Sequence, residues 1–449
     1  MEVAEAPPAA RASPWGIVLR RLRDAWTLAA LLFLIAASFA AFFGWNTRQV
    51  DAKAYWDGGT RLRTGVALYA TEPVPALAKA YLYPPAFAAF VAPLTALPPL
   101  SGYAAWMALQ IAFAVALARV SAALAGIDAG DTDRRRPALA LALAAGLAPL
   151  AESIGEGQAN LVIALLCALA VLEVERGHDR RAAFALAAAV HIKLVPIVLA
   201  GAFLAWGRRR AVGWLGIALV IVGCASLPWR VAVLGPGAGM AAFTADYADL
   251  WQAILRPAAG EDRLGGVEQL FAPNYALRGT LSRLFVADTA LSAFPARADR
   301  RGPLVTAVPR AIVNGASSVI GLGMMALALW LCRRSAADPS TRPLAAGLLL
   351  LAALLAGPSF WQHGLVSLSL AGAGLWRALG PRLQPPPVAV WAWVAAPFVL
   401  TLTVPFLLHT GGVGSDVYRA IREWGLPTVA TVNLFVAGLV LGRPRTRAS

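Results

Sequence analysis

Long apolar stretches recur along the chain, separated by short connectors rich in arginine, proline or glycine. Most of these stretches approach or reach the length of about 20 residues that an α-helix needs to cross a bilayer. The pattern predicts an all-α, polytopic integral membrane protein. The apolar blocks are residues 25–45, 83–98, 101–125, 138–153, 158–174, 182–205, 212–229, 309–331, 343–357, 361–378, 388–409 and 426–442.

The arginine-rich connectors indicate which loops face the cytoplasm, because cytoplasmic loops are enriched in Lys and Arg. Strict alternation of all the blocks would place the cluster Arg134–Arg136 outside. This conflict disappears if blocks 83–98 and 182–205 each enter and leave the membrane on the same side. Prolines bracket the first block, and Lys193 and Pro196 interrupt the second. We therefore predict about ten full spans plus two broken or re-entrant elements, with both termini cytoplasmic.

This topology divides the chain into two parts. Residues 1–24 form a cytoplasmic N-terminal arm, and residues 25–449 form a single transmembrane domain. The first apolar block is longer than the 7–15 residues of a signal-peptide core, so we interpret it as an uncleaved first helix. The domain has two large external loops, residues 47–80 and 230–308.

The composition narrows the class further. Hydrophobic residues make up 59% of the chain and charged residues 14%, whereas soluble domains average about 45–50% and 25%. The net charge of +15 comes mainly from arginines in the connectors, so we expect membrane lipids, and not nucleic acid, as partners. The three cysteines have neither metal-ligand nor disulfide spacing. High Arg and Ala usage with three lysines suggests a bacterial plasma-membrane protein.

Several polar residues fall at the predicted external ends of the spans, where buried polar groups are candidates for function. Asp51 follows the first helix and could serve as a general base for a hydroxyl group, or could be a solvated loop charge. Asp57 is a rival for that role. Lys193 lies within an apolar block, where pairing with an anion such as a lipid phosphate would offset the cost of burying its charge.

Other candidates have plausible structural roles as well. Gln158 and Asn160 form a polar turn whose amides could bind sugar hydroxyls, and Tyr83 could be an interfacial aromatic. Arg278 suits phosphate but could be solvated. His363 could be a packing residue, and no cluster of metal ligands accompanies it, so no metal is predicted.

These motifs, in this order, resemble glycosyltransferase family 87 of the GT-C superfamily of membrane glycosyltransferases, which use polyprenol-phosphate-mannose. The resemblance extends from about residue 45 to residue 365. Two positions depart from the family pattern: the loop has Asn274-Tyr275-Ala276 where Ser is usual, and His363 is followed by Gly364. The motifs that carry the resemblance are Asp51/Tyr55, Tyr83-Pro84-Pro85 with Pro93-Leu94, Gly157-Gln158-Ala159-Asn160, Lys193/Pro196, Asn274/Arg278 and Trp361/His363.

The resemblance implies a GT-C type fold and transfer of a sugar, mannose first, from a polyprenyl-phosphate donor to a glycolipid or glycan hydroxyl at the external, periplasmic face. It makes Asp51 the general base of an inverting reaction, without a cofactor. The implied contacts to the donor phosphate and lipid are Lys193, Arg278 and His363. The implied sugar or acceptor contacts are Tyr55, Tyr69, Tyr83, Gln158, Asn160 and Asn274.

Two alternatives stay open at this point. The family also includes arabinofuranosyl-transferring members, so the same donor type could carry a pentose or another hexose. A membrane transporter or flippase is the alternative of another class. It is disfavoured because no internal repeat is evident and the polar groups gather at one membrane face. An enzyme further requires that Asp51, Gln158, Lys193, Arg278 or Asn274, and His363 converge on one cavity.

Overall fold

The structure, a computed structural model, describes residues 50–69, 81, 83–127, 149–252, 275–286, 305–357, 362–379, 393–394, 396–405, 417, 420–422 and 424–441. Every regular element within these ranges is helical, which confirms the predicted all-α class. The N-terminal arm and the first apolar block, 25–45, lie outside the described residues.

Fourteen helices can be followed through these ranges. They are α1 (Val50–Thr64), α2 (Pro85–Thr95), α3 (Pro99–Leu124), α4 (Asn160–Glu175), α5 (Asp179–Val190), α6 (Leu199–Ala205), α7 (Arg209–Gly223), α8 (Leu227–Leu234), α9 (Pro236–Leu250), α10 (Leu277–Phe285), α11 (Arg310–Ser335), α12 (Arg342–Ala356), α13 (Leu368–Leu379) and α14 (Leu426–Leu441). Short 3₁₀ turns at Val195–Val198, Cys224–Ser226, Pro339–Thr341 and Gln362–Ser367 precede α6, α8, α12 and α13.

Four helical stretches among the described residues are long and apolar enough to cross a membrane. They are Pro99–Leu124, Arg209–Leu234, Arg310–Ser335 and Pro339–Ala356. Each overlaps a predicted apolar block, which supports a helical membrane protein. The total of about ten spans stays a prediction.

The two blocks predicted to be broken or short have that form. Block 182–205 consists of α5, a non-helical interruption at residues 191–194, the 3₁₀ turn Val195–Val198 and α6. Block 83–98 gives only the 11-residue helix α2, which begins after Pro84 and contains Pro93. Proline supplies no N–H and restricts the preceding residue, which explains why these elements are short.

The two predicted external loops contain more helix than their polarity suggested. The loop 47–80 contains α1, in which Asp57 and Arg61 are buried and form an ion pair, whereas Arg63 is exposed. The loop 230–308 contains the end of α8, all of α9 and α10. The end of α8 belongs to the candidate span Arg209–Leu234, whereas α9 and α10 are not among the stretches that could span a membrane.

Helix α12 lies at the centre of the fold. All its residues from Pro343 to Leu355 are buried, and it packs against α11, α13 and α14. Glycine allows α12 and α13 to approach closely, since a Cβ on Gly374 would lie 2.1 Å from the Leu344 backbone nitrogen. Such contacts through small residues are typical of packed membrane helices.

One end of the helix array brings several helix termini together. Arg180, at the start of α5, lies 5.3 Å from the ring centroid of Trp214 in α7. The Trp206 indole, just after α6, donates to the Ser335 hydroxyl at the end of α11 (2.9 Å). The termini of these helices therefore share one face.

We call this face the arginine end. Arg377, near the end of α13, forms an ion pair with Glu175 at the end of α4. Helix α4 has 16 residues, so Asn160 at its start lies about 24 Å away, at the opposite end of the array. The charged residues of the arginine end are Arg176, Arg180, Arg181, Arg208, Arg209, Arg210, Arg333, Arg334, Arg342 and Arg377, against Glu173, Glu175, Asp179 and Asp338.

Candidate functional site

Helix α1 contributes Asp51 and Tyr55, which lie one turn apart and hence on the same side of the helix. Both are buried, Asp51 at 9% exposure and Tyr55 at 0%. Gly58, also on α1, leaves room for a neighbouring ring, because a Cβ there would lie 2.3 Å from the Tyr81 side chain. The missing side chain thus lets the segment before α2 pack directly on α1.

Four tyrosines form an aromatic cluster around α1. Tyr55 meets Tyr83 edge to face at a centroid distance of 4.9 Å, and Tyr81 contacts Tyr69 and Tyr83 at 5.9 and 5.8 Å. The Tyr69 hydroxyl donates to the Tyr83 carbonyl oxygen at 2.6 Å. We call Tyr55, Tyr69, Tyr81 and Tyr83 the tyrosine cluster. Its contacts join α1, the segment after α1 and the start of α2.

The tyrosine cluster connects to the amide turn, residues 157–160, just before α4. The Tyr55 hydroxyl lies 3.3 Å from the Tyr83 hydroxyl and donates to Gln158 Oε1 at 3.2 Å. It also accepts from the Ala159 N–H at 3.1 Å. Asn160 Nδ2 donates to the same Gln158 oxygen at 3.2 Å. Gln158 and Asn160 thus form one hydrogen-bonded amide pair beside α1.

The electrostatics place a negative and a positive charge beside this network. Burial raises the pKa of the Tyr55 and Tyr83 hydroxyls, and the Asp51 carboxylate raises both further. These hydroxyls are therefore protonated and able to donate. Lys193, in the interruption after α5, interacts electrostatically with Asp51. The structure thus brings Asp51, Tyr55, Tyr83, the amide pair and Lys193 into one region.

Asp57 has a different environment from Asp51. Arg61 Nε lies 2.8 and 2.9 Å from the two carboxylate oxygens of Asp57, and both side chains are buried. Arg61 Nη1 also donates to the Ala67 carbonyl oxygen at 3.2 Å. Asp57 is therefore engaged in an ion pair that holds the chain after α1.

A second buried ion pair holds the same segment. Arg230 in α8 donates from Nε and Nη2 to the carboxylate of Asp246 in α9, at 2.8 and 2.7 Å. Arg230 Nη1 donates to the Val66 carbonyl oxygen at 2.9 Å, and Asp246 accepts from the Leu68 N–H. The two ion pairs together fix residues 66–68, directly before Tyr69.

The remaining predicted residues have varied positions. Arg278 lies on α10, and its Nε donates to Asn314 Oδ1 at 2.9 Å. No hydrogen bond or ion pair within the described ranges joins Arg278 to the tyrosine cluster. The backbone of His363 belongs to the turn Gln362–Ser367, which packs against α4. Asn274 lies outside the described residues.

Several residues that contact the site were not among the sequence candidates. Trp106 and Gln110 of α3 donate to carbonyl oxygens of the amide turn, and Arg230 and Asp246 hold the segment before Tyr69. Gln110 could have been identified from the sequence, because it is a polar residue inside an apolar block. Trp106 could not have been identified in this way, since tryptophan is common in membrane helices.

Comparison with known families identifies the chain. The model of glycosyltransferase family 87 matches residues 81–358, more than half of the chain. This range contains Tyr83, the amide turn, Lys193 and Arg278, whereas Asp51 precedes it. No curated protein matches the chain significantly. The family match confirms the resemblance seen in the ordered motifs, and the chain belongs to glycosyltransferase family 87.

Proposed function

We propose that this glycosyltransferase moves a sugar from a polyprenyl-phosphate donor to a hydroxyl of a glycolipid or glycan acceptor, with inversion at the anomeric carbon. Mannose is the first candidate for that sugar. One observation carries the proposal. A buried carboxylate (Asp51), a paired set of amides (Gln158 and Asn160) and an ammonium group (Lys193) gather around the tyrosine cluster. These groups supply a base, a sugar site and a phosphate partner.

Asp51 is the general base in this proposal. It accepts the proton of the acceptor hydroxyl as that oxygen attacks the anomeric carbon. The bond between the anomeric carbon and the phosphate oxygen breaks, and polyprenyl phosphate leaves with the electron pair. Asp57 is less suited, because the Arg61 guanidinium already engages both of its oxygens.

In this proposal Lys193 stabilises the departing phosphate. Its charge interacts with that of Asp51, so a donor bound between them would have its phosphate toward the ammonium, with the acceptor hydroxyl beside the carboxylate. Fixed positive charge at a developing anion is an effective form of catalysis. Arg278 and His363 remain further phosphate contacts in the proposal, from α10 and from the turn that packs on α4.

The tyrosines and amides form the sugar site. Gln158 and Asn160 would hydrogen-bond the sugar hydroxyls, and Tyr83 is half-buried beside them. Tyr55 is fully buried, so we propose that it acts through Gln158 and not by touching the sugar. Tyr69 would act through its hydrogen bond to the Tyr83 carbonyl oxygen. Asn274 stays in the proposal as an acceptor-side contact.

The arginine end supports an external active site. Asn160 begins α4 and Lys193 follows α5, so both lie at the end of the array opposite the arginines. Arginine-rich loops are retained on the cytoplasmic side. The candidate site then faces the periplasmic side of a bacterial plasma membrane, where a lipid-linked donor replaces a nucleotide sugar.

Purified full-length protein in nanodiscs provides the test. The donor is radiolabelled polyprenyl-phosphate-mannose, the acceptors are extracted membrane glycolipids, and the variants are Asp51→Asn and Asp57→Asn. Asp249→Asn, an exposed acid on α9, is the matched control. We expect transfer by wild type and the control, and a loss of at least about 100-fold in Asp51→Asn.

Two results would count against the proposal. Full activity of Asp51→Asn would rule out this carboxylate as the base. Transfer from a polyprenyl-phosphate-arabinofuranose donor, with none from the mannose donor, would keep the mechanism and replace the sugar. Analysis of the anomeric configuration of the product tests inversion directly.

A further inference from the structure

Two side chains of α3 reach the amide turn. Trp106 Nε1 donates to the Gly157 carbonyl oxygen at 3.0 Å, and Gln110 Nε2 donates to the Gln158 carbonyl oxygen at 2.7 Å. Trp106 and Gln110 are one helical turn apart and are both fully buried. They therefore bind two successive carbonyl groups of the turn from one face of α3.

The rest of the turn is bound by a side chain of a second helix. Tyr55 of α1 accepts from the Ala159 N–H and donates to Gln158 Oε1. Gly157 has φ +64°, a left-handed conformation that glycine adopts without strain. Two consecutive peptide groups, 157–158 and 158–159, are thus fixed by side chains from two separate helices.

These contacts determine which atoms of the amide pair are presented. Gln158 Oε1 accepts from both Tyr55 and Asn160, so the donor that Gln158 has left for a ligand is Nε2. Asn160 uses Nδ2 for that bond, which leaves its Oδ1 as an acceptor. A donor next to an acceptor matches two adjacent hydroxyls, one accepting a hydrogen bond and the other donating one.

The burial of Gln110 indicates a role beyond packing. Its Oε1 atom is buried and has no hydrogen-bond partner among the described residues. A buried, unsatisfied amide oxygen is unfavourable, and an apolar side chain of similar size would fill the space without that cost. The hydrogen bond to the turn is what the amide adds at this position.

We infer that Trp106 and Gln110 are positioning residues that hold the amide turn, so that Gln158 and Asn160 select a sugar carrying two adjacent free hydroxyls. This inference rests on the proposed function, because it concerns the same sugar site. Neither residue touches the sugar. They act through the backbone of residues 157 and 158.

Trp106→Phe and Gln110→Met remove the hydrogen bonds and keep most of the side-chain volume. Trp206→Phe is the matched control, since it also removes a buried indole hydrogen bond, to Ser335 at the arginine end. The first measurement is hydrogen–deuterium exchange of peptides covering residues 153–160. The second is kcat/KM with the mannosyl donor and its 3-deoxy analogue, because the 3-hydroxyl belongs to both adjacent pairs of the mannose ring.

We expect both α3 variants to exchange the Ala159 amide about tenfold faster and to lose about tenfold in kcat/KM. Wild type and the Trp206→Phe control should strongly prefer the mannosyl donor to the 3-deoxy analogue, and the α3 variants should lose most of that preference. A residue that only stabilised the fold would lower activity toward both donors equally.

Unchanged exchange in both α3 variants would overturn the inference, as would a donor preference equal to that of wild type. Failure of the proposed function gives a different result. Wild type would then transfer neither mannose nor arabinofuranose, while the exchange measurement would still decide whether α3 holds the turn.

Discussion

Replacing Arg230 with methionine tests how strongly the buried ion pairs hold the chain that leads to the tyrosine cluster. Arg230 is fully buried and binds both oxygens of Asp246 at 2.7 and 2.8 Å. It also donates to the Val66 carbonyl oxygen. Methionine preserves the apolar stem of the side chain and removes all three hydrogen bonds.

The expected loss of stability follows from the geometry. The variant leaves the Asp246 carboxylate buried without its guanidinium partner, and removal of one member of a buried pair costs about 3–5 kcal/mol. Two charge-assisted bonds at about 1.5–3 kcal/mol each give a similar sum. The double variant Arg230→Met/Asp246→Leu removes both charges, so it should lose less than Arg230→Met alone.

The assay is thermal unfolding of the purified protein in one detergent at a fixed scan rate, since membrane-protein unfolding is often irreversible. Arg230→Met should lower the apparent Tm by about 3–5 °C, because a chain of this length loses about 1 °C per kcal/mol. Arg209→Met, an exposed arginine on α7, should change it by about 0.5 °C or less. If the double variant lost as much stability as the separate losses of Arg230→Met and Asp246→Leu added together, the idea that the two charges stabilise the fold as a pair would be refuted.

Two further predictions follow from the packing and from the charge distribution. Gly374→Ala should destabilise the protein by about 1–3 kcal/mol in thermal unfolding, because the new Cβ would clash with the α12 backbone. The control is Gly372→Ala on the same helix, where a Cβ would have no neighbouring atom within 4 Å. This control should be neutral or stabilising by up to about 1 kcal/mol. A membrane-impermeant maleimide should label Val66→Cys, an exposed position near the candidate site, in intact spheroplasts, and should label Arg209→Cys only after lysis. The reverse labelling pattern would contradict an external active site, with wild type as the control for the native cysteines.

The bounds of several helices could be predicted from the sequence, because apolar residues mark the buried length of a span directly. Block 426–442 corresponds to α14 and block 343–357 to α12, each within a residue or two. The interruption of block 182–205 could also be predicted, since Lys193 and Pro196 both disfavour a continuous apolar helix. Helix α1 was missed because its burial depends on the pairing of Asp57 with Arg61, which hydropathy does not represent.

The candidate site could be predicted in part for a related reason. Asp51, Gln158 and Lys193 stand in motifs whose residue types already indicate their chemistry. The residues that hold those motifs in place could not be found, because their partners lie far away along the chain. Trp106 is 51 residues from Gly157, and Arg230 is 164 residues from Val66. Such pairings come from the arrangement of helices and leave no local pattern.

The buried polar contacts around the candidate site share one property that bears on catalysis. Arg61, Arg230, Trp106 and Gln110 all bind backbone carbonyl groups of the segments that carry the site residues, from 66–67 and from 157–158. Fixing the backbone restricts every side chain that the segment carries, and it does so before a substrate binds. Preorganised dipoles need no rearrangement as charge develops in the transition state. Burying these polar groups costs stability, and the result is a site whose hydrogen-bond donors and acceptors are already oriented before a substrate binds.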